Sequence, residues 1–269
     1  MHYIESGVGT PLVLLHAFPV DARMWDGVRG HLEEQVRLIT PDQRGMGESP
    51  LDGSPAWSLA DPESAEANVP PDLDLVAADV VALLDRLELS RVVLGGCSMG
   101  GYVAMGVLRR APERVAGLLL VDTKAVADDE QQRANRLSVA ERVEREGVSW
   151  LAETNPQSVL GRTTLQQRPE AVDRMRELVN AQSPEGIAWA QRAMAGRPDS
   201  TGTLRSFSGP ALVVAGEEDP LTPPQAARQL AELLEEGEQV SVPRVGHLPP
   251  LEDPEAFVAA IRPWLQQFS

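Results

Sequence analysis

What most constrains the fold of this chain is a repeated unit. A short run of apolar, often β-branched residues ends in turn residues, and an amphipathic helical pattern follows it. Such runs occupy residues 12–15, 36–40, 91–94, 118–122, 211–215 and 240–242. They are apolar at nearly every position rather than at alternate ones, so each reads as a strand covered on both faces. Between most of them lie patterns such as 73–87, where Leu75, Val76, Val80, Leu83, Leu84 and Leu87 recur at spacings of three and four. Strands of this kind alternating with helices predict an α/β fold, a doubly wound and mostly parallel sheet joined by crossover helices.

The alternation lapses between residues 124 and 207. This stretch holds no strand pattern and reads as helices over 129–146, 169–182 and 184–195, with proline and glycine at the joints. An all-helical stretch between two strands of a parallel sheet predicts a helical cap (124–207) inserted into an α/β core built from 1–123 and 208–269. A second irregular segment, 51–72, is rich in Pro, Ser, Ala and acidic residues. It reads as a solvated loop, the other reading being a rim element that touches the ligand.

Composition narrows the partners. The chain has 269 residues, 42% hydrophobic and 24% charged, which is enough for a sizeable core and argues against disorder. Its 24 basic residues face 40 acidic ones, a net charge of −16 that disfavours nucleic acid and anionic membrane surfaces and points to a small-molecule substrate, neutral or hydrophobic. Cys97 is the only cysteine, which excludes an internal disulfide framework and a thiolate-rich zinc site. The N-terminus lacks a basic leader region, and no apolar run approaches the roughly 18 residues of a membrane span, so a cytoplasmic protein is expected. With no phosphate loop, dinucleotide fingerprint or metal cluster, no cofactor is expected.

The chemistry concentrates at Gly96-Cys97-Ser98-Met99-Gly100-Gly101. A G-x-S-x-G pentapeptide directly after an apolar strand and before a helical pattern is the setting of a nucleophile elbow, in which glycines allow a turn too tight for flanking side chains and the serine hydroxyl stands above the sheet. A serine hydroxyl needs a base. Of the four histidines, His247 follows the last apolar run, where a loop at the C-terminal edge of the sheet is expected; His2 is terminal, His31 lies on a helix surface, and His16 ends a strand and reads as structural. The base needs a carboxylate. Asp219, on the loop after 211–215 and 28 residues before His247, is favoured; Asp122, Glu217 and Glu218 are the alternatives. Negative charge developing on a substrate oxygen calls for backbone donors, for which the amides of Met99 and Phe18 are the candidates.

These segments, together with His16-Ala17-Phe18-Pro19, Asp42-Gln43-Arg44-Gly45-Met46-Gly47-Glu48-Ser49, Gly216-Glu217-Glu218-Asp219 and Leu251-Glu252-Asp253-Pro254, resemble the α/β-hydrolase superfamily over nearly the whole chain. The resemblance implies a Ser98–Asp219–His247 triad, an oxyanion hole at Phe18 and Met99, and a helical cap over the pocket. Residues 18–25 and 98–105 look like the enol-lactonase and small carboxylesterase branch. Two departures stand out: His16-Ala17 replaces the usual His-Gly, and 51–72 is longer than usual. The function expected is hydrolysis of an ester or lactone of a small, largely apolar substrate through an acyl-enzyme. Trp25, Trp150, Met175, Trp189 and Met194 are the candidate pocket residues. A perhydrolase or haloperoxidase and a carbon–carbon bond hydrolase would share the triad, and a non-catalytic ligand receptor on the same fold is the alternative of a different class.

Overall fold

The structure is a computed structural model and describes residues 1–51 and 70–268. The expectation for the 51–72 segment falls almost wholly outside these. Among the described residues seven strands form one sheet: β1 (Tyr3–Ser6), β2 (Thr10–Leu15), β3 (Val36–Pro41), β4 (Val92–Cys97), β5 (Val115–Val121), β6 (Pro210–Gly216) and β7 (Glu236–Val242). Their spatial order is β1-β3-β2-β4-β5-β6-β7, with β1 antiparallel to β3 and every other pair parallel. The six apolar runs are the six parallel strands. β1 is a half-buried edge strand with no apolar run to announce it.

Helices cover both faces. Helices α1 (Asp26–Leu32) and, near the C-terminus, a further helix over Pro254–Leu265 pack on one face, sharing a core with Leu12, Leu14, Leu119 and Val214. On the other face α2 (Leu73–Arg86) and α3 (Met99–Arg110) bury Val76, Val80, Leu84, Val103 and Val107 against Val13, Leu15, Leu94 and Leu120. Side chains that alternate along the inner strands thus enter two cores, which is why their runs are apolar at nearly every position; the edge strand β7 gives Val242 to one core only.

Between β5 and β6 the chain is helical: α4 (Glu130–Glu146), α5 (Ser149–Val159), α6 (Arg162–Gln167), α7 (Pro169–Asn180), α8 (Pro184–Gly196) and α9 (Thr201–Arg205). Asp129 caps α4 in a reciprocal box with Gln132, and Ser183 caps α8 by accepting from the Gly186 amide. Helices α5 and α6 had no counterpart among the predicted elements. Pro156 lies inside α5, and α6 is under two turns long, so neither shows a clean apolar stripe. Helix α10 (Pro224–Ala231) returns the chain to β7, and the short α11 (Pro249–Glu252) leads into α12, the Pro254–Leu265 helix.

Candidate active site

The C-terminal ends of β4, β6 and β7 bring three side chains together. Ser98 follows β4 directly, with φ 51° and ψ −111°, a left-handed conformation that costs a non-glycine residue about 1–3 kcal/mol. Its neighbours hold it there: its N–H donates to the Val121 carbonyl at 2.9 Å, and its own carbonyl accepts from Thr123 Oγ1 at 2.8 Å. Gly96 and Gly100 are glycine for the reason expected. A methyl on Gly96 would overlap the Gly100 carbonyl, and one on Gly100 would overlap the carbonyls of Leu15 and His16. The second approach seats the N-terminus of α3 against the end of β2.

His247 sits on the turn after β7. Its Nε2 is 2.8 Å from Ser98 Oγ and its Nδ1 is 2.7 Å from Asp219 Oδ2. The Leu221 amide donates to Asp219 Oδ1 at 2.7 Å, and the Thr222 hydroxyl donates to Oδ2. Burial pushes the Asp219 carboxyl upward, but the hydrogen bonds and charge of His247, with those from Thr222 and Leu221, outweigh it and hold the group at about 2. Asp219 is therefore an anion, and a carboxylate oxygen facing Nδ1 keeps the neutral ring's proton on Nδ1 and its lone pair on Nε2.

The other three carboxylates weighed for this place are otherwise engaged. Glu217 is exposed, and Glu218 reaches toward α6, accepting from the Thr163 amide at 2.6 Å and its hydroxyl at 2.8 Å. Asp122 follows β5 with φ 42° and accepts the Gly216 amide at 2.9 Å through Oδ1, while its buried Oδ2 has no hydrogen-bond partner. Complete burial and the Asp219 charge beside it raise Asp122 well above the carboxylate range, so of the two neighbours one is ionised and the other protonated. Ligand atoms of Asp122, Asp219 and His247 lie within 4.8 Å of one another. Of these atoms, Asp219 Oδ2 and His247 Nδ1 are joined by the 2.7 Å hydrogen bond.

Three residues to which sequence reasoning gave no role at the site support His247. Glu252 is buried and its carboxylate accepts the amides of Gly246 (2.9 Å), Leu248 (3.0 Å) and Gly161 (2.9 Å), tying both flanks of the histidine to the α5–α6 turn. Thr222 supports Asp219. Cys97, buried beneath, donates its thiol to the His247 carbonyl at 3.6 Å, and burial keeps that thiol protonated. Glu252 belongs to the Leu251–Pro254 motif, so only its role was hidden. His16 is structural, as read: Nε2 accepts the Gln43 amide at 2.9 Å, and burial lowers its affinity for a second proton. Asp42 likewise organises its loop, accepting the amides of Ala22 and Glu48.

Neither the Phe18 nor the Met99 amide has an acceptor among the described residues, and Phe18 and Ser98 line one cavity of about 520 Å3. Of the five residues proposed for the pocket, Met194 reaches this cavity. Trp25 and Met175 do not: both are fully buried in the core, Trp25 against Phe257 at 6.2 Å. Nor do Trp150, stacked under the Arg142 guanidinium at 3.8 Å, or Trp189, packed on the α2–α3 side. Large apolar side chains gain most by burial between elements. Helix α4 turns toward the cavity a different stripe, Gln132, Asn135, Arg136 and Val139, spaced i, i+3, i+4, i+7.

The chain belongs to the alpha/beta hydrolase fold family, whose pattern it matches over residues 10–254, and it is an enzyme of that family. It is similar to the 3-oxoadipate enol-lactonase 2 of Acinetobacter baylyi (25% identity, 96% of this chain and 89% of that one). It also resembles the pimeloyl-[acyl-carrier protein] methyl ester esterase of Nitrosospira multiformis (27%, 96% and 96%). Among solved structures it is similar to a thermophilic esterase from Thermogutta terrifontis with malate bound, at 38% identity, a TM-score of 0.90, and 99% and 93% coverage. No helix among the described residues is long and apolar enough to cross a membrane.

Proposed function

We propose that the protein hydrolyses carboxylic esters or lactones through an acyl-enzyme on Ser98, with His247 as general base and Asp219 as its orienting anion. The observation that carries this reading is the hydrogen-bonded series from Ser98 Oγ through the imidazole to Asp219, at 2.8 and 2.7 Å, opening on a cavity. Ser98 Oγ attacks the carbonyl carbon while Nε2 takes its proton; the tetrahedral oxyanion accepts from the Phe18 and Met99 amides. Collapse expels the alcohol, protonated by the imidazolium, and water repeats the sequence on the acyl-enzyme. The helices of 124–207 act as the cap, since α4, α5 and α8 supply cavity walls. Relatives named esterase and enol-lactonase support the same reaction class.

Replacing Ser98 with Ala is expected to lower turnover of p-nitrophenyl acetate by about 10⁴-fold or more with the circular-dichroism spectrum unchanged. It is also expected to abolish labelling by a fluorophosphonate probe. Wild-type rates in the variant would end the proposal.

A further inference from the structure

The cavity wall opposite to expectation is cationic in a protein of strongly negative net charge. Lys124, the only lysine of the chain, and Arg136 line the same cavity as Ser98 and His247. Both bond to Asp128, whose carboxylate is also met by Arg197 at 2.9 Å, so three cations surround one anion. Burial would raise the Asp128 carboxyl, but the hydrogen bonds and charge of Arg136, Lys124 and Arg197 hold it well below its ordinary range.

The cluster is larger than a buried aspartate requires. Arg197 alone is a fully buried counter-ion, with its remaining donors on the carbonyls of Met194 and Val126 and its guanidinium 4.0 Å over the Tyr102 ring. That leaves Lys124 and Arg136 in excess, and both keep about a fifth of their side-chain surface open. Beyond Asp128, Arg136 meets only neutral acceptors: Nη1 contacts Gln191 Oε1 at 3.3 Å and Met194 Sδ at 3.2 Å, and the guanidinium also bonds the Tyr102 hydroxyl. Two cations in a partly desolvated cavity, with a fork of donors not committed to strong acceptors, have the chemistry of a carboxylate site.

We propose that Lys124 and Arg136 bind a carboxylate on the substrate, so that the preferred substrate is a half-ester or lactone of a dicarboxylic acid, its scissile carbonyl at Ser98 and its free carboxylate at the α4 wall. This rests on the ester or lactone hydrolysis proposed above. It replaces the largely apolar substrate expected from composition with an anionic one. Asp128 sets the position of both cations and, already neutralised from behind by Arg197, does not repel the bound anion.

The test compares monomethyl and dimethyl esters of dicarboxylic acids of four to eight carbons, the same molecules with the charge free or masked. Wild type should favour at least one monoester over its diester in kcat/KM by about 10-fold or more, as expected for charge-assisted hydrogen bonds. Arg136→Gln and Lys124→Gln should each erode that ratio, and Arg136→Lys should restore part of it. The ratio is internal to each preparation, so partial misfolding lowers both rates and leaves it unmoved. If wild type shows no monoester preference at any length, or if Arg136→Gln and Lys124→Gln leave the preference intact, the carboxylate site is refuted while ester hydrolysis stands. If neither ester set nor p-nitrophenyl acetate is turned over, the hydrolase reading fails and takes this one with it.

Discussion

Replacing Asp219 with Asn tests the imidazole tautomer, and the surrounding donors decide the result. The two oxygens of Asp219 are not equivalent. Oδ1 accepts the Leu221 amide at 2.7 Å, whereas Oδ2 faces His247 Nδ1 and the Thr222 hydroxyl. In the Asp219→Asn variant the Leu221 N–H, a donor that cannot rotate away, holds the new side chain's amide oxygen at the Oδ1 position and so turns the NH2 toward Nδ1. An NH2 group can only donate there. The ring must then carry its proton on Nε2, where it points at Ser98 Oγ and cannot accept the proton that attack releases. A misassigned tautomer in a triad of this type costs about 10⁴ in kcat, or about 5 kcal/mol of transition-state stabilisation. Steady-state turnover of p-nitrophenyl acetate at pH 8 should show that loss with KM little changed. Nitrogen-15 spectra of His247 should show the proton moved from Nδ1 to Nε2. A kcat within tenfold of wild type, or a ring still protonated at Nδ1, would refute the argument.

Two further outcomes follow from the buried carboxylates. Asp122 is protonated in the folded protein but ionises near 3.8 when unfolded, so folding takes up a proton above that pH and wild type loses stability as pH rises from there. Asp122→Asn keeps the Gly216 hydrogen bond without that linkage. Denaturant titrations should find the variant more stable at pH 7, the gain vanishing below about pH 3.8, with kcat little altered; a gain independent of pH would contradict the assignment. Glu252→Gln confronts the amides of Gly246, Leu248 and Gly161 with one acceptor fewer and a new donor, and should cost about 2–3 kcal/mol in urea unfolding together with a fall in kcat. Unchanged stability would mean that this carboxylate does not hold the histidine turn.

The legible parts of the fold share a cause. Five of the six parallel strands are covered on both faces, so their runs are apolar nearly throughout and stand out; β7, an edge strand with only Val242 fully buried, shows just its last three residues, and β1 at the other edge, half exposed and reading Tyr-Ile-Glu-Ser, shows nothing. Helices with a wide apolar stripe or a strong cap, such as α2, α4, α7 and α8, were legible, while α5 with its internal proline and the short α6 were not. Among the site residues, Ser98 was legible because a strained turn demands glycine at fixed offsets on either side, a local requirement written into adjacent positions.

By itself the sequence determined the alternation of strand and helix, the strained serine turn, and a short list of histidines and carboxylates that could serve it. Which carboxylate meets the imidazole was decided only by tertiary structure, because the ends of β5 and β6 both carry an aspartate to the same edge. Packing ionised Asp219 with three donors and left Asp122 with one, and that difference of environment cannot be seen along the chain. The cavity wall was decided the same way. Helical periodicity shows which residues share a face, but that α4 turns Gln132, Asn135, Arg136 and Val139 to the cavity follows from how α4 packs on α8, which no pattern along the chain records.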